Sequence, residues 1–470
     1  MKMRPTHRRI LLFVALLALL CPRPIHAYSL LTHEQLIDLT WRDSIVPLLL
    51  SRYPNLTPAE LDRARAYAYG GCVIQDIGYY PFGDRSFSNL THYVRSGDFV
   101  VSLFRNAQSA NELAFAVGAL SHYIGDSVGH AIAINRAVPV EFPALAAKYG
   151  PVVNYAEGQR QHVQTEFAFD IDEIAHHRLA PLSFLRHIGL NVPVRQLALA
   201  YYQTYGVSED FSVRRKSRLN VRDYRFAVHT FIPRIAYALT LLHRHREPID
   251  PVTPEAAEIF KEAAAVAVEN NWDAYRHHAG IGTWSLACLI FVLPKIGPLK
   301  LVAIKGPTPD TEADYLRSVD LSTHILRRLL ARFTPPSDAN PQQLPPAREL
   351  LAASTSDPDI LFRSADPRHP LPNRDLDTGH VVRPGGYSLT DATYALLLHR
   401  IAQQPNQPIP PGIKRDIEAY YADPNAPITT KNSAAQWAQV QADLATLANM
   451  PTSTEPEPYP TYGDNSSPDQ

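Results

Sequence analysis

The chain has 470 residues, 45% of them apolar, and a formal charge of −1. That is ample material for a packed core and for two domains, and too little positive charge for a general nucleic-acid surface. With 3 cysteines in all, a disulfide scaffold is excluded as well.

Lys2, Arg4, Arg8 and Arg9 precede the apolar run Ile10–Leu20, which Pro22 and Pro24 end shortly before Ala27. A basic start, a short apolar run and a small closing residue describe a secretory signal peptide over residues 1–27. The run falls short of the roughly 18 residues of a spanning helix, so no transmembrane helix is expected in the mature chain. Cleavage after Ala27 leaves Tyr28 first and removes five basic residues and no acid, lowering the charge to about −6. A secreted or periplasmic protein is expected.

Residues 29–46 read as a short helix with His33 near its start. Thr57 opens another, with Pro58 at its first position and Glu60 at its third, ending at Gly70-Gly71. The Gly- and aromatic-rich stretch that follows holds Asp76 and His92, as an active-site wall or a surface loop. Ser109 and Glu112 then form a capping box ahead of an apolar stripe that runs through Leu113, Val117, Leu120, Ile124 and Val128. Beside the stripe stand His122, Asp126 and His130, each four residues from the next, so they stack on one helix face. His122 and Asp126 can share one ion, whereas His122 and His130 start about 12 Å apart along the axis. Asp126, with two oxygens, stands where it can bridge, which points to a multi-metal site. Gly125 and Gly129 leave a smooth strip for close approach of another backbone.

Residues 155–179 form a further helix on which His162 and Glu166, four apart, suit a chelating pair. Asp170 and Glu173 beyond them are expected to be solvated acids. Core helices follow to about 245, and the prolines of 248–254 mark a domain boundary. The apolar stretch Leu286–Leu293 stops at Pro294; it docks on lipid or packs on the first domain, and packing is the expectation. Further helices cover 310–333, about 389–404 and 434–449, with turn chemistry at 371–379 and 384–386. The chain is therefore expected to be all-α, with a catalytic domain over 28–247, a mainly helical region over 248–450 and a disordered tail over 451–470.

His33, Asp76, His92, His122, Asp126, His130, His162 and Glu166 offer nitrogen and carboxylate ligands without cysteine, a set that suits zinc and is large enough for more than one ion. Their order and spacing resemble the zinc-dependent phospholipases C, with the related single-strand nucleases and glycosylphosphatidylinositol-specific phospholipase D. The compact HxxxDxxxH of residues 122–130 is most like that phospholipase D branch. The resemblance covers residues 28–180. It implies an all-helical domain holding three zinc ions: one on Asp76, His92, His122 and Asp126; a second on the terminal amine and carbonyl of Tyr28, His33 and the other oxygen of Asp126; a third on His130, His162 and Glu166. It further implies a secreted phosphodiester hydrolase acting on phospholipid head groups, with contact at a membrane surface. Asp76 orients or deprotonates the attacking water, or serves only as a ligand. The alternatives are a single-strand nuclease or 3′-nucleotidase, for which Tyr79, Tyr80 or Phe82 would supply an aromatic slot for a base; a phospholipase D-type activity; and a catalytically silent zinc scaffold.

Overall fold

The computed structural model describes residues 30–79, 83–209, 211, 221–243, 250–276, 279–295, 300, 302–333, 366 and 368–454. Tyr28 and the expected signal peptide, Tyr80 and Phe82, and the tail beyond 454 lie outside the described residues. The described chain is helical, and its only β pairing is two isolated bridges, Arg374–Val381 and Ile409–Thr452.

The helices that position the site are α1 (Leu30–Thr40), α2 (Pro58–Gly71), α3 (Arg85–Tyr93), α4 (Ser96–Arg105), α5 (Ala110–Gly129) and α6 (Tyr155–Ala175). Helix α5 is the central rod and is buried almost throughout, as its small and apolar residues require. The Ser109 side chain accepts the Glu112 N–H at 3.3 Å, as expected. The Glu112 carboxylate, however, reaches past the cap to the Gln108 N–H at 2.7 Å, so the expected reciprocal box is displaced by one residue. After Gly129 the helix widens into a π turn over His130–Ile134 before resuming at Asn135.

Helix α2 lies against α5 backbone to backbone. A Cβ on Gly118 would sit 2.2 Å from the Ala68 carbonyl oxygen, and one on Gly71 would sit 2.1 Å from that of Phe115. The close approach expected at Gly125 is made instead by side chains: a Cβ there would meet Leu36 at 2.9 Å and the His33 ring at 3.3 Å. Gly125 therefore makes room for a histidine of α1.

Helix α1 is held at both ends by buried charge. Asp170 of α6 accepts the N–H groups of Leu31 and Thr32, both at 3.1 Å, and the Thr32 hydroxyl at 3.0 Å. It satisfies amides that a helix start leaves without partners. Farther along, Asp38 takes the Arg65 guanidinium at 2.5 Å and the Tyr69 hydroxyl, tying α1 to α2. Asp170 and Glu173 are thus not solvated acids; both are fully buried, and Glu173 receives the Gln35 amide at 3.0 Å and the Arg178 guanidinium. Their burial follows from the docking of α1 on α6, which brings donors from distant parts of the chain.

The later helices share in the packing: one cluster of buried side chains draws on residues from Leu30 to Met450, and a second joins Leu36, Ile134 and Phe169 to Ile259 and Tyr315. Helix α8 (Pro309–Phe333) packs on α1, α5 and the π turn, and its Tyr315 stacks on Phe169 with ring centres 4.6 Å apart. Helix α7 (Ile281–Val292) departs from the packing expected of it: Ala287 and Ile290 face inward, while Ile281, Phe291 and Val292 are at least 74% exposed. Cys72 is buried and Cys288 exposed, and both are free thiols.

In an unhindered helix, Gly→Ala stabilises by about 1 kcal/mol. Gly118→Ala is expected to do the opposite and cost about 1–3 kcal/mol, because its methyl must push α2 off α5. A fall in the urea midpoint at unchanged slope reports this; a rise would show that the two backbones are not in contact.

Candidate metal centre

Three buried groups of side chains meet beside α5: His33, His122 and Asp126; Asp76, His92 and His122; and His130, His162 and Glu166. None of these eight residues is more than 2% exposed. The structure thus brings together every sequence-expected ligand among the described residues, and places His122 and His130 in different groups, as their axial separation requires.

Asp126 joins the groups. Its Oδ1 lies 3.1 Å from His33 Nε2 and 3.9 Å from His130 Nε2, while its Oδ2 lies 3.1 Å from His122 Nε2 and 3.3 Å from His92 Nε2. Glu166 Oε1 stands 3.0 Å from His162 Nε2 and 3.2 Å from His130 Nε2, and Asp76 Oδ1 3.3 Å from His92 Nε2. The His33 ring stacks on His122 with centres 4.2 Å apart.

Backbone carbonyls set the rings. Cys72 O lies 2.9 Å from His122 Nδ1 and Ser88 O lies 2.7 Å from His92 Nδ1. A carbonyl only accepts, so in both rings Nδ1 carries a proton and Nε2 is the nitrogen turned inward, the one that would ligate a metal once deprotonated. The two Nε2 atoms then face one another at 3.5 Å. This is the outer-sphere arrangement of metal-bound histidine, with a carbonyl fixing the tautomer behind the ligating nitrogen.

The donor set fits a cation on a second count. All six carboxylate oxygens of Asp76, Asp126 and Glu166 are buried and accept no hydrogen bond. Buried carboxylates without donors are costly unless a positive charge occupies the space between them. Imidazole and carboxylate without thiolate is a donor set that zinc accepts.

The same crowding disturbs the site's protonation. Burial holds Glu166 up at about 8. Against the lowering effect of burial, the carboxylates of Asp126 and Asp76 push His92 up to about 10. Burial alone would raise Asp126, but His122 and His130 hold it well below the usual carboxylate range. Burial and the neighbouring His122 press His33 down to about 4, and burial presses His162 to about 4.

A further part of the site comes from far along the chain. Leu376 O accepts the Nδ1–H of His130 at 2.9 Å, and the Asp377 carboxylate lies within 4.0 Å of the same nitrogen. Sequence reasoning read this segment as turn chemistry only. Its acid-rich Arg374-Asp375-Leu376-Asp377 run was the available signal, but no local spacing links it to a helix almost 250 residues earlier.

A metal ligand must be deprotonated, so loading this site expels protons. With His92 near 10 and Glu166 near 8, both carry protons at pH 7 in the metal-free protein. Zinc uptake at pH 7 is therefore expected to release at least about two protons per chain. Titration calorimetry in buffers of different ionisation enthalpy measures the number, and none released would refute the assignment of these two groups.

The model of the family described as zinc dependent phospholipase C matches residues 32–207. No curated protein and no solved structure matches the chain. The matched stretch holds all eight residues of the three buried groups and ends before the segment that carries Leu376 and Asp377. Residues 32–207, with their all-helical fold and histidine–carboxylate centre, are thus similar to the zinc-dependent phospholipase C family.

Proposed function

We propose that the protein is a secreted hydrolase of phospholipid phosphodiesters, of the phospholipase C type, working with three zinc ions. The observation that carries this reading is the sharing of Asp126 between buried histidines of different groups, which supports one multi-ion centre over three separate sites. By this reading Asp76, His92, His122 and Asp126 hold one ion. His33 and Asp126 hold a second with the amine and carbonyl of Tyr28, freed by cleavage after Ala27. His130, His162 and Glu166 hold the third.

Zinc bound there supplies the positive charge that attracts a phosphodiester, together with the Lewis acidity that activates water and stabilises the departing oxygen. The protein's own part is orientation and proton handling. The carbonyls of Cys72 and Ser88 keep the His122 and His92 rings from turning. Burial raises Asp76 above the usual carboxylate value, and its two oxygens accept no hydrogen bond, so it is placed to orient a water and take its proton. That water adds to phosphorus, the bond to the departing alcohol breaks, and the alcohol leaves with a proton. By this reading water attacks directly and no covalent intermediate forms.

Access to a lipid substrate would come through α7. Ile281 is 89% exposed, Phe291 74% and Val292 78%. From Ala274 to Pro309 the chain has no acid and carries Arg276, Lys295, Lys300 and Lys305. An apolar helix within a basic stretch suits the surface of an anionic bilayer. Among the described residues no helix is long and apolar enough to cross a membrane, so the contact is peripheral.

Two outcomes are expected. Protein beginning at Tyr28 carries about three zinc ions by elemental analysis and hydrolyses phosphatidylcholine, and one added residue before Tyr28 lowers the count by about one. Cleavage of single-stranded DNA without phosphatidylcholine turnover would replace this reading with the nuclease one. Separately, Phe291→Ser with Val292→Ser is expected to weaken binding to phosphatidylglycerol-containing vesicles by at least ~10-fold, the loss of about two buried apolar side chains. Unchanged co-sedimentation would exclude α7 as the docking helix.

A further inference from the structure

Residues 371–387 lie outside the family match and strap across the helices that carry the ligands. The Pro372 carbonyl accepts the Tyr123 hydroxyl at 2.6 Å. Ser96 Oγ donates to the Arg374 carbonyl at 2.6 Å, and the Arg374 N–H donates back to it at 3.0 Å. The Leu376 N–H donates to the His92 carbonyl at 3.1 Å, and Leu376 itself is fully buried. Two residues past Asp377, Gly379 takes φ +72°, and a Cβ there would lie 2.3 Å from the Ser127 carbonyl oxygen. The strap therefore rests directly on α5, beside Asp126.

What it delivers is aimed at one group of the centre. The Leu376 carbonyl takes the Nδ1 proton of His130, leaving Nε2 for Glu166 and an ion. Behind that nitrogen stands Asp377, 4% exposed, its Oδ2 accepting the hydroxyls of Tyr93 at 2.9 Å and Tyr387 at 2.7 Å. Charge explains why an acid belongs there. His130, His162 and Glu166 include a single carboxylate, so a divalent ion among them leaves a net positive charge in a buried place. Asp126 and Asp76 serve the other two groups.

We propose that residues 371–387 are an integral part of the metal centre, and that Asp377 is a positioning residue for the ion held by His130, His162 and Glu166. The carboxylate balances that ion's charge and makes His130 a stronger donor, and the Leu376 carbonyl fixes the ring. The family-matched stretch is then incomplete without a segment that follows it by more than 150 residues. This inference rests on the zinc reading of the site.

The test is competition of the full-length protein against a chromophoric zinc chelator, for the wild type, Asp377→Asn and Gly379→Ala. Asp377→Asn keeps the shape and removes the charge. It is expected to weaken one zinc ion by about 10- to 100-fold, leaving the other two and the thermal midpoint of the zinc-free protein unchanged. Gly379→Ala, which must lift the strap off α5, is expected to weaken the same ion at unchanged helical circular dichroism. A wild type with three ions and variants of equal affinity would overturn the role of the strap alone. A drop in the zinc-free midpoint of Asp377→Asn without loss of zinc affinity would also overturn it, reducing Asp377 to packing. A wild type that binds no zinc would overturn the inference together with the reading of the site.

Discussion

Asp126 turns its two carboxylate oxygens in different directions, one toward His33 and His130 and the other toward His92 and His122. Those four rings come from α1, α3, α5 and the π turn, so a single carboxylate is where four stretches of chain converge. A fully buried carboxylate surrounded by imidazoles is tolerable only when charge around it is balanced. Much of the surrounding architecture serves to keep that balance. Gly125 gives up its side chain so that His33 can reach in. Asp170 caps α1 so that His33 arrives at a fixed height. The Arg65–Asp38–Tyr69 cluster ties the far end of the same helix to α2.

Local sequence rules reached much of this and failed where distance along the chain took over. The helix starts at Thr57 and Ser109 and the i, i+4 pairs His122–Asp126 and His162–Glu166 were legible because their causes lie within one or two helical turns. Asp170 and Glu173 were misread as solvated because their partners, the start of α1 and Arg178, are not encoded in the periodicity of α6. The strap was missed for the same reason: what Leu376 supplies is a main-chain carbonyl, which any residue has, so composition and spacing carry no trace of it. The exposure of α7 was a different kind of miss. Its apolar run reads as core by pattern, and only the three-dimensional structure shows how few of its side chains find cover.

Helical packing and the centre are also energetically joined. The six carboxylate oxygens that accept no hydrogen bond lie in the interior, where leaving polar atoms without partners costs several kcal/mol in sum. A bound cation removes that cost only in the folded chain, so metal binding and folding stability are linked. The buried clusters that draw side chains from Leu30 to Met450 spread such a linkage through the described helices, since loosening the centre loosens helices packed on both sides of it.

The three histidines whose tautomers are held by Cys72, Ser88 and Leu376 have one more property in common: each is held by main chain. A side-chain carboxylate in that role is lost to a single codon change, whereas a peptide carbonyl survives replacement of its own residue as long as the backbone path holds. The identity of residues 72, 88 and 376 is thereby freed from the chemistry, and the tautomers are insulated from drift at those positions. For these three carbonyls, selection acts on the placement of backbones, so the weak points under mutation are the glycines and turns that set those paths, not residues 72, 88 and 376 themselves.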